Sequence, residues 1–375
     1  MRYSGLENVA AHHSTSETPS SPDGPGPQLL EELVQRAERA QASDIHLQMR
    51  PDKAQVFFRL DGVLTPVAEF PHDVAERIFG RIKFLARLKT YQESLPQDGR
   101  IEKATLKATS DLRVATYPTV TGEKIVLRLF QNSAIRSLAE LGFPAATCSA
   151  IGLVLRQTSG LLLLTGPAGS GKTTTIYSCL KQLAEPGGRH VITIEDPVEQ
   201  IIPGIMQTEV NESLGLDFAK AARHLLRQDP QVLVIGEIRD EQTAVIAVRA
   251  ALTGHLVIST LHAGSCKGVF ERLIALSGDP SGVAASVALV LNQRLARHLC
   301  SACSGRGCAD CLSTGYHGRI PMVETLRITD DLRGFIGARN LARLNTTPSL
   351  AEHAQAMLQQ GLTNAAEIAR VLGSA

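Results

Sequence analysis

Two hydrophobic rhythms follow one another along this chain. From Gln28 the apolar positions Leu29, Leu30, Leu33, Val34 and Ala37 recur at helical spacing and predict an amphipathic helix. Residues 55–60 read as a strand, run into Asp61-Gly62 and resume at Val63, which predicts a hairpin. Residues 73–89 predict a second helix with Val74, Ile78, Ile82, Leu85 and Leu88 on one face, and strands are expected around 112–116 and 124–130. From about Leu138 the rhythm changes. Continuous apolar runs at 160–165, 190–194, 231–235 and 256–260 alternate with helical stretches such as 218–227 and 243–251, as buried parallel strands do in a βα sheet. From about residue 330 the pattern is helical, ending in residues 365–372. The expected organisation is a disordered tail rich in Ser, Thr, Pro and Gly over 1–27, a smaller α+β domain over 28–135 and an α/β domain over 136–375.

Composition narrows the partners more than the fold. A chain of 375 residues, 43% of them hydrophobic, has room for two ordinary globular cores. A net charge of +1 provides no general attraction for nucleic acid or an anionic membrane, so no direct nucleic-acid partner is expected. The apolar runs 161–164 and 232–235 are far too short to cross a bilayer, and no signal peptide is legible. A cytoplasmic protein is expected.

The chemistry concentrates after the first apolar run. Gly166-Pro167-Ala168-Gly169-Ser170-Gly171-Lys172-Thr173 lies between a run of four leucines and a helical stretch opening at Thr174, the context of a phosphate-binding loop. Its backbone N–H groups would cradle phosphate oxygens at a helix N-terminus, Lys172 would reach the β- and γ-phosphates, and the Thr173 hydroxyl would sit on Mg²⁺. Such a loop needs acids at neighbouring strand ends. Glu237 follows the run 232–235, where it would hold the metal's water shell or orient the attacking water. Glu195, Asp196 and Glu199 crowd behind residues 191–194 and call for a nearby cation; spacing leaves open which of Glu195 and Glu199 acts as base. His262 falls just past residues 256–260, at the same edge of the sheet, placed to sense a γ-phosphate. Arg100, Arg113 and Arg128 in the first domain are candidates for the extra positive charge that phosphoryl transfer draws on.

Four of the seven cysteines form Cys300-x₂-Cys303-x₄-Cys308-x₂-Cys311. Two such knuckles suit a closed tetrahedral thiolate site for structural Zn²⁺, with an iron–sulfur cluster or an unmetallated loop as alternatives. Cys148, Cys179 and Cys266 read as small buried hydrophobes.

Taken in order, these motifs resemble the secretion and pilus-assembly ATPases of the type II secretion/type IV pilus superfamily (GspE/PilB-like). The resemblance runs through Ala42-Ser-Asp-Ile-His46, Phe58-Arg-Leu-Asp-Gly62, Leu95-Pro-Gln-Asp-Gly-Arg-Ile101 and Gly122-Glu-Lys-Ile-Val-Leu-Arg128 to the phosphate loop. It continues through Ile194-Glu-Asp-Pro-Val-Glu199 (the family's Asp box), Leu226-Arg-Gln-Asp-Pro230, Gly236-Glu-Ile-Arg-Asp240 (its atypical Walker B) and Ser259-Thr-Leu-His262 (its His box) to Gly315-Tyr-His-Gly-Arg319. It implies a PAS-like N-terminal domain and a RecA-like ATPase domain, with a small Cys₄ insertion over 300–318 and C-terminal helices over 330–375. It also implies a hexamer that binds ATP and Mg²⁺, with Arg100 and Arg113 as arginine fingers. Such a motor would work at the cytoplasmic face of an inner-membrane platform protein. The cysteine segment favours the secretion and assembly branch over retraction motors. A further docking domain, common in the secretion branch, is not expected before residue 28, and the spacer between the cysteine pairs is shorter than the family's. The rival readings are a competence-type or conjugation-related motor for DNA uptake or transfer, which need not itself touch DNA (salt-sensitive DNA binding would point to a direct DNA pump), and a non-hydrolysing nucleotide-dependent scaffold, which would be expected to lose at least one of Lys172, Thr173, Glu237 and His262.

Overall fold

The computed structural model describes residues 26–129, 134–184 and 189–373, so the tail expected over 1–27 lies outside the described residues up to 25, as does Phe130. The chain divides into two compact units, one ending at Asn132 and one beginning at Ser133.

The first unit is α+β. Its order is α1 (Gly26–Arg39), β1 (Asp44–Met49), β2 (Lys53–Leu60), β3 (Val63–Pro71), α2 (His72–Leu85), β4 (Gln97–Ile101), α3 (Lys103–Leu106), β5 (Leu112–Thr119) and β6 (Gly122–Leu129). The six strands form one antiparallel sheet in the order β3-β2-β1-β6-β5-β4. The apolar stripe read for α1 is buried throughout. Asp61 and Gly62 both take positive φ (49° and 86°), as the two-residue turn between β2 and β3 requires. The second helix stops at Leu85, earlier than its apolar pattern predicts. Arg87 turns left-handed at φ 58°, and its N–H and that of Leu88 bond back to Phe84 and Lys83, which closes the helix before Leu88 can extend the stripe.

The second unit runs α4 (Ala145–Leu155), β7 (Gly160–Thr165), α5 (Lys172–Leu183), β8 (Val191–Glu195), β9 (Met206–Glu209), α6 (Phe218–Leu225), β10 (Val232–Ile235), α7 (Glu241–Leu252), β11 (Leu256–Thr260), α8 (Cys266–Ser277), α9 (Pro280–Ser286), β12 (Val287–Leu299), β13 (Tyr316–Arg327), α10 (Asp330–Gly337), α11 (Leu350–Gln359) and α12 (Ala365–Leu372). Its seven-stranded sheet has the order β13-β12-β7-β11-β10-β8-β9, parallel from β12 to β9 and antiparallel at β13. Every residue of β8, β10 and β11 is buried, which is why these strands read as unbroken apolar runs. The four strands β7, β8, β10 and β11 end in register, so the segments following Thr165, Glu195, Ile235 and Thr260 meet at one edge. The pair β12–β13 carries the cysteine segment in its connection, an arrangement the sequence pattern does not announce. Cys179 and Cys266 are buried as expected, whereas Cys148 is half-buried.

A buried charge cluster holds α12 against β12. Glu367 has no exposed surface; it accepts hydrogen bonds from Arg297 Nε and Arg370 Nε at 2.9 and 2.8 Å and one from the Arg297 backbone N–H at 2.9 Å. The Arg297 guanidinium also covers the Tyr316 ring at 3.9 Å. Burial alone would raise the Glu367 carboxyl, but the bonds from Arg370 and Arg297 outweigh it and hold the group down to about 2. Because the folded value lies below the ordinary 4.5, this contribution is complete above about pH 5 and is lost as pH falls through about 2. Denaturant titrations are expected to show the wild type losing about 3 kcal/mol over that range relative to Glu367→Gln, which lacks the titrating group.

Candidate active site

The phosphate loop occupies the turn between β7 and α5 at this edge. Gly166, Gly169 and Gly171 take φ of 137°, 73° and 86°, a sequence of turns that side chains with a Cβ resist. At Gly166 a Cβ would also come within 2.3 Å of the Gln293 carbonyl oxygen. Gln293, buried on β12, pins the loop from below: its Nε2 donates to the Ser170 carbonyl at 2.8 Å and its Oε1 accepts from Thr175 Oγ1 at 2.9 Å. Lys172 Nζ donates to the Gly166 and Pro167 carbonyls at 2.8 and 3.0 Å. Burial pushes its ammonium below the ordinary lysine range, with Glu237 opposing the shift and Arg294 adding to it. Thr173 and Thr174 are exposed on the first turn of α5.

A cleft of about 250 Å³ opens beside this loop, lined by Gly169, Lys172, Thr173, Asp196, Glu199, Glu237 and His262, among others. The sheet therefore gathers most of the sequence-derived candidates into one space. Glu237 is bracketed there: Arg239 Nε donates to one carboxylate oxygen at 2.8 Å, and His262 Nε2 lies 3.0 Å from the other. Arg239 also reaches toward Asp196 at 3.6 Å and lies over the Phe218 ring at 5.6 Å. Glu195 also lines the cleft, yet it is buried with its oxygens already bonded. Thr193 Oγ1 and the Tyr177 hydroxyl each donate to it at 2.5 Å, and Gln207 Nε2 donates at 3.0 Å.

Arg239, Gln293 and Tyr177 were not singled out by sequence. Arg239 sits inside the motif that supplies Glu237. Gln293 could have been found as part of Asn292-Gln293-Arg294, three polar residues breaking an apolar run.

The three first-domain arginines form one cross-strand row within their own unit. Arg100 pairs with Arg113 across β4–β5, and Arg113 with Arg128 across β5–β6, so the three side chains share a sheet face. Arg100 Nε donates to Asp111 at 3.0 Å, and Arg128 Nε donates to Asp44 at 3.0 Å. Arg113, exposed between them, has no carboxylate partner among the described residues.

The four clustered cysteines converge, with all their Sγ atoms within 4.8 Å of one another. The distances Cys300–Cys308, Cys303–Cys311 and Cys308–Cys311 are 3.9, 3.9 and 3.7 Å. A tetrahedron of Zn–S bonds of about 2.3 Å has edges of about 3.8 Å, so the donor set fits Zn²⁺, and all four cysteines are free thiols. Backbone N–H groups of Gly307, Cys308 and Gly315 point at the sulfurs of Cys303 and Cys311 at 3.2–3.3 Å, as thiolates require.

Residues 20–370 match the family model described as type II/IV secretion system protein. The chain belongs to that family. It is 40% identical over 364 residues to a protein transport protein HofB homolog of Haemophilus influenzae, covering 96% of this chain and 76% of the relative. It is 38% identical over 381 residues to type II secretion system protein E of Pseudomonas aeruginosa, covering 93% and 76%. Among solved structures, the pilus retraction motor PilT with bound ADP is similar at a TM-score of 0.62 and 26% identity, covering 90% of this chain and 95% of that one. The α/β architecture and the tetracysteine cluster expected from the sequence are present, and among the described residues no helix is long and apolar enough to cross a membrane.

Proposed function

We propose that the chain hydrolyses ATP and that turnover drives protein secretion or pilus assembly. The observation that carries this reading is the Glu237 carboxylate, held between His262 and Arg239 in the same cleft as Lys172 and the phosphate loop. The backbone N–H groups of the loop from Gly166 to Thr173, apart from Pro167, which has none, together with that of Thr174, hold the phosphates, and Lys172 leaves the loop carbonyls to meet the β- and γ-oxygens. Mg²⁺, held through Thr173, would neutralise the charge that develops on those oxygens. Glu237 orients water near the γ-phosphate, His262 fixes Glu237 and senses that phosphate, and Glu199 and Asp196 provide the remaining negative charge around the cation. The tetracysteine cluster holds structural Zn²⁺.

Arg113 is the arginine we propose to complete the site in the assembled oligomer. Its two neighbours already neutralise carboxylates, and a guanidinium flanked by like charges gains most from meeting an anion. The assembly is a homo-oligomer, a hexamer by family resemblance, acting at the cytoplasmic face of an inner-membrane platform.

ATP hydrolysis across a protein concentration series tests this reading. Specific activity is expected to rise steeply with concentration, to vanish in Lys172→Ala, and to fall on the order of 10³-fold in Arg113→Ala. Concentration-independent turnover that survives Arg113→Ala would remove that arginine from the mechanism.

A further inference from the structure

Tyr177 stands five residues after Lys172 on the phosphate-loop helix and one helical turn beyond Thr173, on the same face as Thr173. Its ring packs in the core with Ile176, Cys179 and Leu180, which by itself would make it an ordinary buried aromatic. Its hydroxyl is placed otherwise. A phenol has one proton to donate and two lone pairs to accept with, and here all three are used. The proton goes to Glu195 at 2.5 Å, and the lone pairs take the backbone N–H groups of Glu199 at 3.1 Å and Gln200 at 3.3 Å.

Each partner of that hydroxyl is itself fixed. Glu195 closes β8, is 7% exposed, and also receives Thr193 Oγ1 and Gln207 Nε2. Gln207, on the edge strand β9, spans the same loop a second time, donating to the Gln200 carbonyl at 3.0 Å and accepting from the Ile202 N–H at 2.7 Å. Three donors on two buried oxygens leave Glu195 one lone pair of about four, which is poor provision for taking a proton from water. Glu199, by contrast, is exposed at the cleft.

We infer that Tyr177 is a positioning residue for hydrolysis, hanging the Asp196–Gln200 segment from the helix that carries Lys172 and Thr173, with Glu195 as its buried acceptor and not as the base. The helix that registers the phosphates and the segment that presents Glu199 then move as one body. Burial, reinforced by the bond to Glu195, pushes the Tyr177 phenol well above the ordinary tyrosine range, so it stays a donor throughout the working pH range. The inference rests on the hydrolytic reading of the cleft and assigns roles among its acids.

The test is steady-state ATP hydrolysis by Tyr177→Phe, Gln207→Ala, Glu195→Gln and Glu199→Gln variants of the chain. Affinity for a fluorescent ATP analogue and thermal midpoints are measured alongside. Tyr177→Phe keeps the ring and its packing, so a structural role alone would leave kcat in place. The expected result is a kcat lower on the order of 10²-fold with nucleotide affinity within about threefold. Gln207→Ala is expected to lower kcat in the same sense by a smaller factor, which keeps the inference testable should Tyr177→Phe fail to fold. Glu195→Gln, which keeps an acceptor for the hydroxyl, is expected to lower kcat less than Tyr177→Phe does, and Glu199→Gln to lower it more. Wild-type kcat in Tyr177→Phe, or a larger loss of kcat in Glu195→Gln than in Glu199→Gln, would overturn the inference while leaving the hydrolytic reading standing. A wild type that binds the analogue but turns nothing over would overturn that reading and the inference with it.

Discussion

Glu237→Gln is expected to bind ATP within about twofold of the wild type and to lower kcat on the order of 10³-fold. The substitution keeps the size of the side chain and removes its charge. Arg239 and His262 now face an amide where a carboxylate stood, at sites that were 2.8 and 3.0 Å from oxygen. In the proposed mechanism the phosphates are gripped elsewhere, by the loop backbone and Lys172, so the ground-state complex is expected to survive. What the substitution would remove is the negative charge proposed to orient the attacking water, an interaction made most strongly in the transition state. A factor of about 10³ corresponds to about 4 kcal/mol, within the range of a single well-placed electrostatic group. Equilibrium binding of a fluorescent ATP analogue beside steady-state phosphate release checks both halves. Unchanged turnover would place the catalytic carboxylate elsewhere in the cleft; weakened binding in proportion to turnover would make Glu237 a binding group.

Removing the metal is expected to have the larger effect on structure. Purified protein should carry about one zinc per chain, and chelation should expose residues 300–315 to proteolysis while nucleotide binding persists. Sixteen residues join β12 to β13 with little apolar packing beyond the cysteines themselves. Without a cation, thiolates 3.7–3.9 Å apart repel, and protonated thiols would turn the N–H donors of Gly307, Cys308 and Gly315 from partners of charge into partners of weak acceptors. Burial opposes the Cys311 thiolate, yet the N–H groups of Cys308 and Gly315 bring its thiol down to about 7, the direction a metal site needs. Structural zinc supplies an apparent 10–16 kcal/mol or so in isolated modules, so local ordering of this segment should vanish with it. Cys303→Ser should reproduce the result without chelator. Metal analysis finding iron, with visible absorbance, would replace zinc by a cluster; a segment equally resistant with and without metal would reduce the cysteines to packing.

The features legible in the sequence are those whose physics is local or repeats along the chain. Four leucines before a glycine turn, and apolar runs ending in Glu237, Glu195 and His262, carry their meaning in consecutive residues. Parallel strands buried on both faces leave an apolar signature that needs no knowledge of neighbours, and the strands at 160–165 and 256–260 coincide with it. The pair β12–β13 is not legible in the sequence because Asn292, Gln293 and Arg294 interrupt β12 with polar side chains. They are buried or half-buried because they bond to Glu324, the phosphate loop and Gly264, partners 28 to 123 residues away.

The choice among chemically equivalent residues belonged to the tertiary structure alone. Glu195, Glu199 and Glu237 look alike as acids behind strands. Burial with three donors fills Glu195, exposure leaves Glu199 open, and Arg239 and His262 fix Glu237. Arg100, Arg113 and Arg128 are likewise interchangeable in the chain, 13 and 15 residues apart in sequence. The register of β4, β5 and β6 lines them up, and Asp111 and Asp44 then neutralise the outer two. Hydrogen-bond saturation and charge pairing are properties of neighbours in space, and a linear pattern specifies residue types without specifying which of them will be neighbours.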